Sequence, residues 1–204
     1  MSFTILHIQS SPLGERSVSR KLGAKVLERL KEQHPDAQVI SRDLVENPFP
    51  HLDGLTIGAF FTPADQRDEV LSEAVKLSDS AVDELMAADA IIIEAPMYNF
   101  SVPSTLKSWI DHIARAGRTF RYDESGPVGL VPSEKKVFIC SARTGVYSNG
   151  QMQALDFQEP YLKTVLGFIG MTDVTFVRAE GLNAAQEIDT AVESAWQQEL
   201  AVAA

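Results

Sequence analysis

Apolar residues fall into two rhythms that alternate along this chain. Ile5-Leu6-His7-Ile8, Val39-Ile40 within Ala37 to Leu44, Ala90-Ile91-Ile92-Ile93, Val137-Phe138-Ile139-Cys140 and Val174-Thr175-Phe176-Val177 are short runs bounded by polar residues, and they read as buried strands. Between them the spacing lengthens to three or four residues. Val18, Leu22, Val26 and Leu30 line one face of a predicted helix, with Arg20, Lys21, Lys25, Glu28 and Arg29 elsewhere on it and Ser17 placed as its N-cap. A second stripe runs from Val70 through Val75, Ser78 and Val82 to Leu85, with Thr62 or Asp65 as the expected start. Leu106, Trp109, Ile110 and Ile113 mark a third helix, capped by Ser104 and ending near Gly117. Leu162, Val165, Leu166 and Ile169 mark a fourth, and the tail from Ala184 through Trp196 to Leu200 a fifth.

Two stretches interrupt the alternation. After the turn Asn47-Pro48-Phe49-Pro50, residues His51 to Pro63 carry Leu52, Leu55, Ile57, Phe60 and Phe61 without a long helical period. This excursion covers apolar surface; packing is the first reading, a lid or a dimer surface the alternatives. Thr119-Phe120-Arg121-Tyr122, then Asp123-Glu124-Ser125-Gly126-Pro127, reads as a hairpin-like insertion. Five strands alternating with helices predict an α/β three-layer sandwich, a five-stranded parallel sheet with helices on both faces. For this size the flavodoxin-like strand order 2-1-3-4-5 is the first choice, and it sets the loops after strands one and three against each other at the carboxyl edge, where ligands bind.

Composition narrows the partners. The 204 residues make one core and one domain over 1–204, and a formal net charge of -10 disfavours nucleic acid or an anionic membrane. No apolar run approaches the length of a membrane span, and Met1-Ser2-Phe3-Thr4 leads straight into a strand pattern, so a soluble cytoplasmic protein is expected. The single Cys140 excludes an intramolecular disulfide. His7, His34, His51 and His112 lack metal-ligand spacing; they read as surface or packing residues, and no metal is expected.

The loops carry the chemistry. The first has neither spaced glycines nor a Gly-Lys-Ser/Thr, which removes the dinucleotide turn and the triphosphate cradle. It does place Ser11, Ser17 and Ser19 about a helix start, where hydroxyls and free N–H groups suit a phosphate monoester, with Arg16 nearby. Capping by Ser17 alone is the plainer alternative. The loop Ala95-Pro96-Met97-Tyr98-Asn99-Phe100-Ser101-Val102-Pro103-Ser104 offers thioether and aromatic faces to a flat ring, and Gly145 permits close backbone approach in the loop after the fourth strand. A phosphate at one end and a planar ring at the other describe a flavin mononucleotide. Other chemistries fit less well: Cys140 and Arg143 stand too close for a low-molecular-weight tyrosine phosphatase loop, serines replace the acidic residues of a receiver domain, and no Gly-x-Ser-x-Gly elbow occurs.

Ala95 to Pro103, the loop Ser11…Ser17-Val18-Ser19, Arg115-Ala116-Gly117-Arg118-Thr119-Phe120 and Leu166-Gly167-Phe168-Ile169-Gly170 together resemble the FMN-dependent NADH-azoreductases, also described as NADH:quinone oxidoreductases. The resemblance covers nearly the whole chain. It implies a flavodoxin-like homodimer that binds FMN near the subunit interface, takes a hydride from NADH or NADPH, and reduces quinones and aromatic azo compounds in a ping-pong cycle with no side-chain nucleophile. By family position Ser11, Ser17, Val18 and Ser19 would hold the phosphate. Met97, Tyr98, Asn99 and Phe100 would line the isoalloxazine, Ala142, Arg143, Thr144 and Gly145 would meet its far edge, and Asn99, Tyr122 and Phe168 would face substrate. The chain departs from a pattern often carried by family members, Ser-Arg-Gly-Gly or Ser-Gly-Gly, where it has Ala142-Arg143-Thr144-Gly145. The reading from another class is a flavodoxin-like electron shuttle or a flavin-dependent regulatory binding module on the same fold.

Overall fold

The computed structural model describes residues 3–181 and 186–202. Its centre is a parallel sheet of β1 (Thr4–Gln9), β2 (Gln38–Asp43), β3 (Ala90–Pro96), β6 (Lys136–Ala142) and β7 (Val174–Ala179), ordered β2-β1-β3-β6-β7. β4 (Phe120–Asp123) and β5 (Gly126–Gly129) form a separate antiparallel hairpin, as the turn residues between them predict. Without that hairpin the sheet order is 2-1-3-4-5, as expected.

Successive strand side chains point to opposite faces, and this splits the core. Leu6, Ile8, Ile91, Ile93 and Ile139 pack on α3 (Glu69–Ala87), α4 (Ser104–Ile113) and α5 (Glu159–Phe168). Ile5, Ile92, Phe138 and Cys140 pack on α1 (Val18–Gln33) and α6 (Ile188–Val202). β3 is central and every residue in it is buried, so a run rich in isoleucine is what this position requires. Each fully buried isoleucine contributes roughly 2 kcal/mol of transfer free energy, and trimming one to alanine in such a layer costs about 2–5 kcal/mol.

Several helix starts differ from the sequence reading. The excursion after Pro50 contains a short helix, α2 (Gly54–Phe61), begun by Asp53, whose carboxylate accepts a hydrogen bond from the Thr56 N–H at 2.7 Å. Two turns are too short to establish a period, which is why the pattern hid it. α3 begins after Asp68, whose carboxylate accepts from the Leu71 N–H at 2.8 Å; Thr62 and Asp65 lie outside it, Asp65 in a single 3-10 turn. α4 is capped by Pro103, already extended at φ -56°, so Ser104 falls one position inside and its hydroxyl caps nothing. The expected start of the last helix at Ala184 lies outside the described residues; α6 begins at Ile188.

Candidate functional site

The loops after β1, β3 and β6 leave the sheet at one edge. In the first, the chain makes a 3-10 turn over Gly14–Arg16, entered through a positive φ at Gly14, and reaches Ser17 in extended backbone. Ser17 caps α1 as predicted: its Oγ accepts from the Arg20 N–H at 3.3 Å and lies 3.0 Å from Ser19 Oγ. Ser11, Ser17 and Ser19 are all buried. The N–H groups of Val18 and Ser19 open the helix, where no carbonyl one turn earlier can accept from them. Arg16 is exposed, whereas Arg20 turns inward: its guanidinium donates to the Ser11 carbonyl at 3.1 and 2.9 Å and pairs with Asp43 at 2.7 Å. The helical pattern places Arg20 off the apolar stripe, and its reach to β2 is invisible in that pattern. A cleft of about 480 Å³ opens here, lined by Gln9, Ser11, Gly14, Arg20 and Asp43.

The second loop is a tight turn held under strain. Tyr98 and Ser101 exchange both backbone hydrogen bonds, at 3.0 and 3.1 Å, which leaves Asn99 and Phe100 as a two-residue connection with φ of 49° and 70°. Both angles are left-handed. Asn tolerates this region, but a phenylalanine there costs roughly 1–2 kcal/mol. The Phe100 ring is 43% exposed and meets the edge of Tyr147, with ring centroids 6.4 Å apart. Such strain is kept where surroundings fix it, commonly beside a site. Met97 donates its N–H to the Ala142 carbonyl at 3.0 Å, joining this loop to the end of β6. Beyond the turn a cleft of about 660 Å³ is lined by Tyr98, Asn99, Ser104, Lys107 and Tyr161. Burial, together with the charge of Asp111, pushes the Tyr161 hydroxyl up to about 12.

The third loop is anchored by an ion cluster. Ala142 belongs to β6, and Arg143 follows it with a side chain 0% exposed. Its Nη1 donates to Asp156 at 2.8 Å and to Glu180 at 3.2 Å, and its Nη2 donates to Glu159. Arg178 holds the same Glu159 with two bonds, at 2.6 and 2.8 Å. Burial pulls the Glu159 carboxyl up, but the Arg178 hydrogen bonds and the Arg143 charge prevail and set it below its ordinary value. Glu180 also accepts from the Tyr147 and Ser148 N–H groups, at 3.0 and 3.2 Å. At Gly145 an added Cβ would lie 3.0 Å from the Tyr147 ring, so this glycine makes room for that ring.

Beneath the first two loops lies a pair that sequence reasoning missed. His7 Nε2 and Glu94 Oε1 are 2.8 Å apart, both buried, between the sheet and α1. Gly23 of α1 rests on them; an added Cβ would fall 2.6 Å from Glu94 Oε1. Burial raises the Glu94 carboxyl, with His7 opposing in part. Glu94 interrupts the apolar run from Ala90 to Pro96, the one signal that could have exposed it. Cys140, on the same face, is a buried core thiol raised by burial and by Glu94, as a strand cysteine should be.

Tyr122 and Phe168 come together, each against Phe120, at centroid distances of 5.8 and 4.5 Å. They do not join the three loops. α5 starts at the loop edge, where Gln158 donates to the Ala95 carbonyl, and Phe168 ends it at the opposite edge. At 1.5 Å per residue that is roughly 14 Å along the helix.

Residues 4–201 match a family model described as flavodoxin-like fold. The chain is 53% identical over 178 residues to a Herminiimonas arsenicoxydans protein named FMN-dependent NADH:quinone oxidoreductase, with 87% of each chain covered. The chain belongs to this family. An Azospirillum brasilense family member of the same name is 51% identical over 198 residues, covering 96% of this chain and 95% of the other. Among solved structures, an azoreductase from Bacillus anthracis str. Sterne superposes with a TM-score of 0.85 at 31% identity, covering 96% of this chain and 97% of that one. The family resemblance read from the loop motifs is thereby established over nearly the full length. No helix among the described residues is long and apolar enough to cross a membrane.

Proposed function

We propose that this chain binds FMN at the carboxyl edge of its sheet and carries reducing equivalents from NADH or NADPH to quinones and aromatic azo compounds. One observation carries the reading: a helix start with three buried hydroxyls faces, on the same edge, a strained turn of Asn99 and Phe100. The residues fit the cofactor. Hydroxyls and helix N–H groups match a phosphate, and a half-exposed phenyl ring with a neighbouring amide matches a heteroaromatic face. The family's own relatives carry names for this reaction.

FMN, when bound, supplies the hydride and electron chemistry. The chain supplies position. Ser11, Ser17, Val18 and Ser19 hold the phosphate, helped by the positive end of α1. Met97, Tyr98, Asn99 and Phe100 line the ring and keep water from it, and the main chain over Ala142, Arg143, Thr144 and Gly145 closes its far edge. The Asn99 amide orients substrate. NADH and then the acceptor occupy this apolar rim in turn, a ping-pong order that needs no side-chain nucleophile. Tyr122 and Phe168 stand a helix length away, so they serve substrate across the boundary of a homodimer. The exposed Leu55, Ile57 and Phe61 of α2 are apolar surface such an assembly would cover.

The test is reconstitution followed by turnover. Protein mixed with FMN and passed over a sizing column should be yellow and should oxidise NADH when a quinone is added, with parallel double-reciprocal lines at varied acceptor. Protein that emerges colourless would overturn the flavin reading. FMN retained without NADH oxidation would replace the enzyme by the electron shuttle or regulatory module.

A further inference from the structure

The third loop presents a contradiction between type and place. Arginine at position 143 lies in a segment expected to meet the cofactor, yet its guanidinium is fully buried and shared among Asp156, Glu159 and Glu180. Both of its terminal nitrogens are spent on these carboxylates and not turned toward the cleft-facing loops. Its partners come from three further segments: Asp156 precedes α5, Glu159 opens α5, and Glu180 follows β7. Three carboxylates against the guanidinium groups of Arg143 and Arg178 leave the cluster with an excess negative charge, and both terminal nitrogens of Arg143 are held by carboxylates. The tie continues outward. Glu180 accepts from the N–H groups of Tyr147 and Ser148, the Tyr147 ring meets Phe100, and the Phe100 carbonyl accepts from the Phe157 N–H at 3.1 Å, one residue beyond Asp156. The circuit closes on itself.

We infer that Arg143 is a positioning residue: through Asp156, Glu159 and Glu180 it fixes the third loop and, by way of Tyr147, the left-handed Phe100 turn, so that a buried ion cluster sets the ring end of the site. The inference rests on the proposed flavin function. It also explains how a phenylalanine is held at a φ of 70°, since the turn is gripped from both sides by Tyr147 and Phe157. Arginine is required because its fork reaches carboxylates on different elements at once; lysine keeps the charge but presents a single point.

The experiment compares two ligands that share the ring and differ in the phosphate. Apo-protein is titrated with FMN and with riboflavin, following quenching of flavin fluorescence, and visible circular dichroism of the bound flavin is recorded. Arg143→Lys should weaken both ligands by a common factor of about tenfold and change the dichroic bands. Asp156 Oδ1 accepts from the Gln158 and Glu159 N–H groups at 2.9 and 3.0 Å, and Asp156→Asn keeps that oxygen and balances the cluster charge, so it folds even where the lysine variant does not; it should weaken both ligands by about threefold. Unchanged affinities and dichroism in the folded variants would overturn the inference, leaving the cluster structural only. Loss confined to FMN would also overturn it, because the effect would then lie at the phosphate. Wild-type protein that binds neither ligand would overturn the cofactor reading itself, a result separable from any comparison among variants.

Discussion

At the start of α1 the proposed site uses the neutral hydroxyls of Ser11, Ser17 and Ser19 beside helix N–H groups, with the Arg20 guanidinium tied to the Ser11 carbonyl. At the end of β6 the same site is made by Arg143, Asp156, Glu159, Glu180 and Tyr147, which assemble through ion pairs across separate elements. The first end is built on a helix cap, with the Arg20–Asp43 pair reaching to β2 behind it. The second depends on the whole sheet having formed. Anion recognition can be achieved by backbone geometry alone, whereas holding a strained turn needs a rigid frame brought in from elsewhere.

The contrast predicts unequal sensitivity. Arg143→Met should be the most damaging change, since it strands buried carboxylates; thermal and urea unfolding should show a loss of about 3–5 kcal/mol. Ser17→Ala removes only a cap, and should cost about 1 kcal/mol by the same measurement while weakening FMN and leaving riboflavin alone. A loss at Ser17 as large as at Arg143 would erase the distinction between the ends. Phe100→Gly should stabilise the chain by about 1 kcal/mol, through relief of the left-handed backbone, and lower flavin affinity at the same time. Stability and binding moving in the same direction there would show that the turn is not strained for the site.

The smallest expected effects concern pH, and their signs differ between the ends. Glu159 lies below its ordinary value of 4.5, so its stabilisation is complete above that pH and is lost as pH falls through the lowered value. Glu94 lies above the same ordinary value of 4.5, so the native state holds its proton longer, and stability declines as pH rises from there through the raised value. Melting temperatures across pH 3–8 for Glu94→Gln should therefore be flatter than wild type on the rising side, and Glu159→Gln flatter on the acid side, each in that order of magnitude of about one proton's linkage.

How much of this was legible follows the same division. The sheet order, the hairpin at Phe120 to Gly129 and the Ser17 cap are written in periodicity and turn residues close together in the chain. Arg143 is a contact residue by family position, and a position in a family pattern says nothing of which way a long side chain turns. His7 reads from the sequence as a surface or packing residue and Glu94 carries no signal of a partner, because a buried polar pair needs both strands aligned before either residue has meaning. α2 escaped because two turns of helix carry too few apolar positions to repeat.

Gly23 has a consequence for how such chains change over time. Because α1 is seated on Glu94 with no space for even a methyl group, position 23 is not free to vary while the carboxylate is there. A larger residue in the helix becomes acceptable only after the strand has given up its carboxylate, and a chain that has given it up no longer needs the glycine. The two sites form a ratchet between a helix and a strand far apart in the sequence, and a family member that keeps the glutamate should be found keeping the glycine.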